Sequence, residues 1–358
     1  MKFRRNILFL FSFFLISWKP AGISEVHHVD VVFCMDMSAS TNGILNEVRN
    51  RMWNIANGVL QKDELTDFRI GMVGYGRPSF GGTDGYVRII SNLTNDLDAV
   101  SYSLHQLKAV IEKGDQFVPN ALLETLKGIK WSKGENSEKM VFLIGNGSAY
   151  AGSINLEDLC EEYAKNNIPV NAIYVQQEKE NEINLNGYRN IAGLTHGKFY
   201  TISANPFVSI NNNFGDTLVV LKMNDSLNST FMFYTKDAAD RKKFLYETDK
   251  NTFKMGNEFF YSRLYYKTSK HYFESCTNYD LTAYYIKNHS LPEKINYDFL
   301  FKQEKTFDVN AISKLVKQKA FARMRLTDEI RYMYRQIEKD TVAVNDSLLD
   351  GFVLNNYE

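Results

Sequence analysis

Asp36, Ser38 and Ser40 stand at alternate positions directly after an apolar run, Val29 to Met35. A carboxylate followed by two hydroxyls, on a turn leading from a strand into a helix, can place three oxygens around a hard cation such as Mg²⁺. Two further segments carry polar groups suited to the same place. One is the loop from Lys113 to Asn120, with Asp115 and Gln116; the other is Gly145-Asn146-Gly147-Ser148, which ends the apolar run Met140 to Ile144. A plainer role also fits, because Ser38 and Ser40 can cap the following helix and Asp36 can tie neighbouring loops to the sheet edge. Other chemistry lacks support. HExxH, GxSxG and GxxxxGK[ST] are absent and nothing pairs a nucleophile with a base, so no enzymatic activity is expected. Cys34, Cys160 and Cys276 have no metal-ligand spacing and allow at most one disulfide. His27 and His28 read as solvent-facing, and His196 as part of a helix-to-strand turn.

The elements that must position these residues alternate between two periodicities from about residue 29 to 222. Val29 to Met35, Met140 to Ile144 and Ile168 to Val175 are nearly continuous apolar runs, as expected of strands buried on both faces. Phe68 to Tyr75 and Tyr86 to Ile90 read as two strands joined through the glycine-rich segment 79–85. Lys198 to Ile202 reads as another. Between them Ile44, Leu45, Val48, Met52, Ile55 and Val59 recur at helical spacing, as do Leu97 to Ile111, Ala121 to Ile129 and Ile154 to Lys165, the last capped by Ser153. A short helix covers 186–194, and another begins near Pro206. Strands alternating with amphipathic helices predict a doubly wound α/β domain with a mostly parallel sheet.

The arrangement resembles the von Willebrand factor A family. Val31 to Ser40 is similar to that family's first strand and DxSxS motif, and the likeness continues through Phe68 to Tyr75, Val141 to Gly147 and Gly197 to Tyr200. It covers about residues 28–222 and implies an interaction or adhesion module with a metal-ion-dependent adhesion site. In such a site the two serines and a loop threonine hold Mg²⁺, two aspartates act through water, and an acidic side chain of a protein partner completes the shell. Asp36, Ser38 and Ser40 match. Gln116 stands where the threonine is expected and Asn146 where the second aspartate is expected, with Asp115 adjacent. One carboxylate remains where two are usual, so the expectation is a degenerate site with weak or absent Mg²⁺ binding. The same residues form the expected partner-binding surface.

Beyond Met223 the character changes. Thr230 to Tyr234, Phe259 to Tyr266 and Leu281 to Ile286 are rich in Tyr and Phe and read as strands. Helical spacing returns after Asp308, so residues 224–358 are expected to form a C-terminal α+β region. Lys317, Lys319, Arg323, Arg325 and Arg331 read as a solvated basic face.

At the N-terminus, Lys2, Arg4 and Arg5 precede the apolar stretch Ile7 to Trp18 and then Ala21 and Gly22. That is a signal-peptide pattern over about residues 1–24, implying an exported protein with no membrane span after its removal. Asn92, Asn228 and Asn288 head glycosylation sequons. With 42 basic and 42 acidic residues, the chain has no net charge to draw it toward nucleic acid. Two functional readings follow: partner binding at the carboxyl end of the sheet, or a scaffold whose contacts are made by the C-terminal region.

Overall fold

A computed structural model describes residues 27–340, apart from 63–65, 83, 108–111, 113, 135, 178–180 and 204–216. The expected signal segment and the helix start near Pro206 lie outside the described residues. The first strand, β1 (His28–Asp36), is followed by α1 (Asn42–Lys62), β2 (Asp67–Tyr75), β3 (Arg88–Thr94) and α2 (Leu97–Gln106). Then come α3 (Val118–Gly128), β4 (Ser137–Gly145), α4 (Leu156–Lys165), β5 (Val170–Gln176), α5 (Glu182–Leu194) and β6 (Phe199–Ser203). The sheet order is β3-β2-β1-β4-β5-β6, parallel throughout except for β3, which runs antiparallel to β2. This is the doubly wound arrangement expected from the alternating periodicities.

Alternate residues of β1 serve two cores, which explains its unbroken apolar run. Val29, Val31, Phe33 and Met35 face α1 and α2, while Val32 and Cys34 face α3, α4 and α5. Helix α4 begins two residues later than expected, and its cap is Asn155 rather than Ser153, because the Asn155 carboxamide oxygen accepts from the Asp158 amide at 3.1 Å. His196 lies in the turn between α5 and β6 with a left-handed φ of 60°. His28 opens β1, its Nδ1 2.9 Å from the Asp67 carboxylate, and His27 reaches Glu138 at 3.1 Å, so both are half-buried rather than solvent-facing.

Of the aromatic C-terminal segments expected as strands, Phe259 to Tyr266 and Leu281 to Ile286 are helical, and Thr230 to Tyr234 is a non-helical connection between two helices. The chain continues as α6 (Thr217–Ser229), α7 (Ala238–Met255), α8 (Asn257–Tyr266), α9 (Lys270–Cys276), α10 (Leu281–Asn288), α11 (Tyr297–Glu304) and α12 (Val309–Asp340). Among the described residues of this region, strand-like pairing is confined to the isolated bridge from Phe233 to Asp280. The physical reason is burial from several sides. In α8, Phe259, Phe260, Tyr261, Ser262, Arg263, Leu264 and Tyr266 are all buried, so no polar stripe betrays the 3.6-residue period. Phe231, Phe233, Leu245, Tyr266 and Tyr272 join the core beneath α1 and α2.

The basic residues of α12 also divide. Arg323 is fully buried, with Nε donating to Thr230 Oγ1 at 2.8 Å and its guanidinium paired with Asp280 and over the Phe231 ring at 4.1 Å. It is therefore a structural pin and no part of a solvated face. The Asn228 side chain is buried against Asp249, which withdraws that sequon from the folded surface. All three cysteines are free and buried.

Candidate functional site

The strand order reverses direction between β1 and β4, where connections leave toward opposite sides of the sheet. In an open α/β sheet such a switch point leaves a crevice at the carboxyl ends of the strands. Asp36 ends β1 there, Ser38 follows it, and Asn146 follows β4. The loop before α3 adds Gln116. Four of the six expected residues thus converge: Asp36, Ser38, Gln116 and Asn146. Asp115 is exposed on the rim, and Ser40 lies in the 3-10 turn Ala39–Thr41, its side chain outside the described residues.

Hydrogen bonds fix the arrangement. The Ser38 amide donates to Asp36 Oδ1 at 2.8 Å, and Thr41 Oγ1 donates back to the Asp36 carbonyl at 2.7 Å. Gln116 Nε2 donates to Ser38 Oγ at 2.8 Å. Asn146 turns its Nδ2 to the Val175 carbonyl at 3.3 Å and accepts Asn184 Nδ2 on its own carbonyl at 3.1 Å. Asp36 is about 1% exposed, and its Oδ2 has no hydrogen-bond partner among the described residues. Burial pushes its carboxyl up to about 6, against the downward pull of the Ser38 amide and hydroxyl and the nearby Asn146 amide.

Glycines let the loops close on this carboxylate. Gly76 has a φ of 76°, and a Cβ there would stand 3.0 Å from Asp36 Oδ1 and from the Gln116 side chain. At Gly145 a Cβ would meet the Tyr75 hydroxyl at 2.5 Å and Asp36 Cβ at 2.7 Å. Beneath the site Tyr75 and Tyr188 share a hydroxyl–hydroxyl hydrogen bond of 3.0 Å, and burial raises both phenols well above their ordinary range.

The Tyr75–Tyr188 pair, Gly76 and the β5–α5 loop were missed by sequence reasoning. Asn181 alone carried a signal, as a polar residue in the capping position before α5, where its Oδ1 accepts from Ile183 and Asn184 at 3.1 and 3.2 Å. Together these elements enclose a cleft of about 650 Å³ whose lining includes Ser38, Asp115, Gln116, Asn146, Asn181 and Asn184.

The donor set can be tested against Mg²⁺. That ion demands near-octahedral oxygen ligands at about 2.0–2.1 Å and is usually held by carboxylates. The unpartnered Asp36 Oδ2 suits it. The remainder does not: Ser38 Oγ already accepts a Gln116 N–H, and Asn146 contributes no charge. Among the described residues no three His, Cys, Asp or Glu side chains cluster as a metal site. As they stand, these residues do not fit Mg²⁺. Nor does thiol chemistry arise, since burial pushes Cys34 and Cys160 up to about 12 and Cys276 higher still.

Fold and crevice together define a doubly wound α/β domain with a polar cleft at the carboxyl ends of its strands. Residues 30–210 match the von Willebrand factor type A domain, and the chain belongs to that family. Its domains generally serve in protein–protein interaction or adhesion, usually without catalysis. Solved structures similar to the chain include the conserved hypothetical protein BatB from Bacteroides thetaiotaomicron, with 14% identity over 49% of this chain and 90% of that one, TM-score 0.36. Another is a von Willebrand factor type A protein from Catenulispora acidiphila, with 17% identity, 49% and 39% coverage, and TM-score 0.35. A third is the pilus adhesin SpaC from Lactobacillus rhamnosus GG, with 15% identity, 51% and 28% coverage, and TM-score 0.38. No curated protein matches the chain.

Proposed function

We propose that this chain is an exported, non-catalytic interaction module that takes hold of a protein partner at the carboxyl end of its sheet without a metal bridge. The observation that carries the reading is the Gln116 to Ser38 hydrogen bond at 2.8 Å, which occupies a hydroxyl that the family resemblance assigns to Mg²⁺. An acidic partner side chain, which the resemblance implies, would then find no cation to join it to Asp36. Export rests on the basic and apolar pattern of residues 2–22. Among the described residues no helix is long and apolar enough to cross a membrane. Partner capture compared in Mg²⁺ and in EDTA tests the reading. Equal capture in both, lost in Asp36→Ala, is expected; capture abolished by EDTA would sink it.

A second reading, a scaffold whose contacts are made by the C-terminal helices, draws on one observation. Phe321, Met324 and Tyr332 of α12 are 73%, 56% and 66% exposed. Their spacing places them on one side of the helix. Removing residues 224–358 would strip apolar side chains from the core under α1 and α2, so the test uses surface changes. If Phe321→Ser with Tyr332→Ser abolishes capture while Asp36→Ala leaves it intact, the scaffold reading stands.

A further inference from the structure

Hydrogen bonds fix three side-chain amides of the cleft so that their oxygens are left without a donor among the described residues. Gln116 donates from Nε2 to Ser38 Oγ at 2.8 Å. Gln116 Oε1 is thereby turned away from Ser38. The Val175 carbonyl fixes Asn146 in the same manner: Nδ2 points to it and Oδ1 points elsewhere. Asn184 commits Nδ2 to the Asn146 carbonyl, which leaves its Oδ1 over. None of these three oxygens has a donor among the described residues. Asp115, exposed on the rim, adds a carboxylate, whereas no Lys, Arg or His is among the described lining residues. The donors in the lining, which include the Asn181 and Gln177 carboxamides and the Ser148 hydroxyl, carry no charge, so none offsets the Asp115 carboxylate.

We propose that the cleft recognises a cationic side chain of the partner, an arginine guanidinium, where the family resemblance implies an acidic one. This rests on the reading of the cleft as the binding surface. A guanidinium carries five N–H donors in a planar fork and no acceptor, and it is more weakly hydrated than an ammonium. It therefore matches a cleft with three oriented amide oxygens, a rim carboxylate and no described cation, and Phe117 in the lining offers its flat face an apolar and cation–π contact. An acidic side chain would instead meet Asp115 at the rim and Asp36 beneath, with no described cation to offset either.

The test uses the full chain in EDTA with four blocked tripeptides, Gly-X-Gly with X as Arg, Lys, Ala or Glu, and follows side-chain amide resonances during titration. Binding of the Arg peptide about tenfold tighter than the Ala peptide is expected, as one charge-assisted contact supplies. The Lys peptide should fall between them and the Glu peptide should not bind. Gln116→Met, which removes the acceptor at similar volume, is expected to weaken the Arg peptide, and Asn146→Asp to tighten it. A thermal melt within a few degrees of the wild type certifies that each variant is folded. Equal binding of the Arg and Ala peptides, tighter binding of the Glu peptide, or indifference to Gln116→Met in a folded variant overturns the inference. If partner capture still depends on Asp36 in those cases, the binding surface stands and only its cationic preference falls. If capture ignores Asp36 and Gln116 alike, the surface itself is lost.

Discussion

Buried charge is treated in opposite ways at two places in this molecule. Under α2 and the C-terminal helices, Asp98 and Asp249 alternate with Arg263 and Lys267 in one fully paired network. Arg263 reaches Asp98 at 2.5 Å and Asp249 at 2.6 Å, Lys267 reaches Asp249 at 3.1 Å, and Asn224 and Asn228 bind the Lys267 ammonium at 2.8 and 2.6 Å. The Arg263 guanidinium also lies 4.6 Å from the Trp53 ring centre. Against the upward push of burial, Lys267 and Arg263 hold the Asp249 carboxyl well below its usual range. At the cleft, Asp36 is as deeply buried but has no cation beside it among the described residues, and burial wins. The first region uses its polarity to hold helices together; the second leaves Asp36 Oδ2 without a hydrogen-bond partner among the described residues.

Breaking the network should have the largest effect. Arg263→Met leaves Asp98 and Asp249 without their shared cation and is expected to cost about 3–5 kcal/mol in chemical denaturation. A loss below about 1 kcal/mol would show that the network does not join the two halves. Acid probes the same contrast. The folded pKa of Asp249 is depressed, so its contribution is complete above the ordinary carboxylate range near about 4 and is lost as pH falls further. Asp36 works in reverse. Its folded pKa of about 6 lies above the unfolded value, so its ionisation lowers stability as pH rises from about 4 through 6.

Asp36→Asn should therefore stabilise the protein at pH 8 by about 1–3 kcal/mol while weakening partner capture. The gain should shrink as pH drops through about 6, where the wild-type carboxyl takes up its own proton. A pH-independent or negative change in stability would refute the uncompensated charge. The smallest effect sharpens the cleft's identity. Gln116→Thr with Asn146→Asp should create Mg²⁺ binding, seen as about 1.4 kcal/mol of stabilisation at ten times Kd, with no such shift in the wild type. A Mg²⁺-dependent shift in the wild type would show that its donors do fit the ion.

The legible parts of the sequence were those governed by local rules. Unbroken apolar runs in β1, β4 and β5 announced a parallel sheet buried on both faces, and Asp36-x-Ser38-x-Ser40 marked its carboxyl edge. The C-terminal helices were illegible because residues such as Phe259 to Leu264 are buried all round, erasing the periodicity that distinguishes helix from strand. Arg323 looked like solvated charge for a related reason, since its partner Asp280 lies 43 residues away. Sequence alone therefore determined the doubly wound domain, its family and the four residues that meet at the switch point. Tertiary structure decided what those residues do there. Whether Ser38 faces a cation or an amide depends on where the Gln116 side chain turns, and that is set by Gly76, Gly147 and the Asn146 loop closing around it from distant parts of the chain.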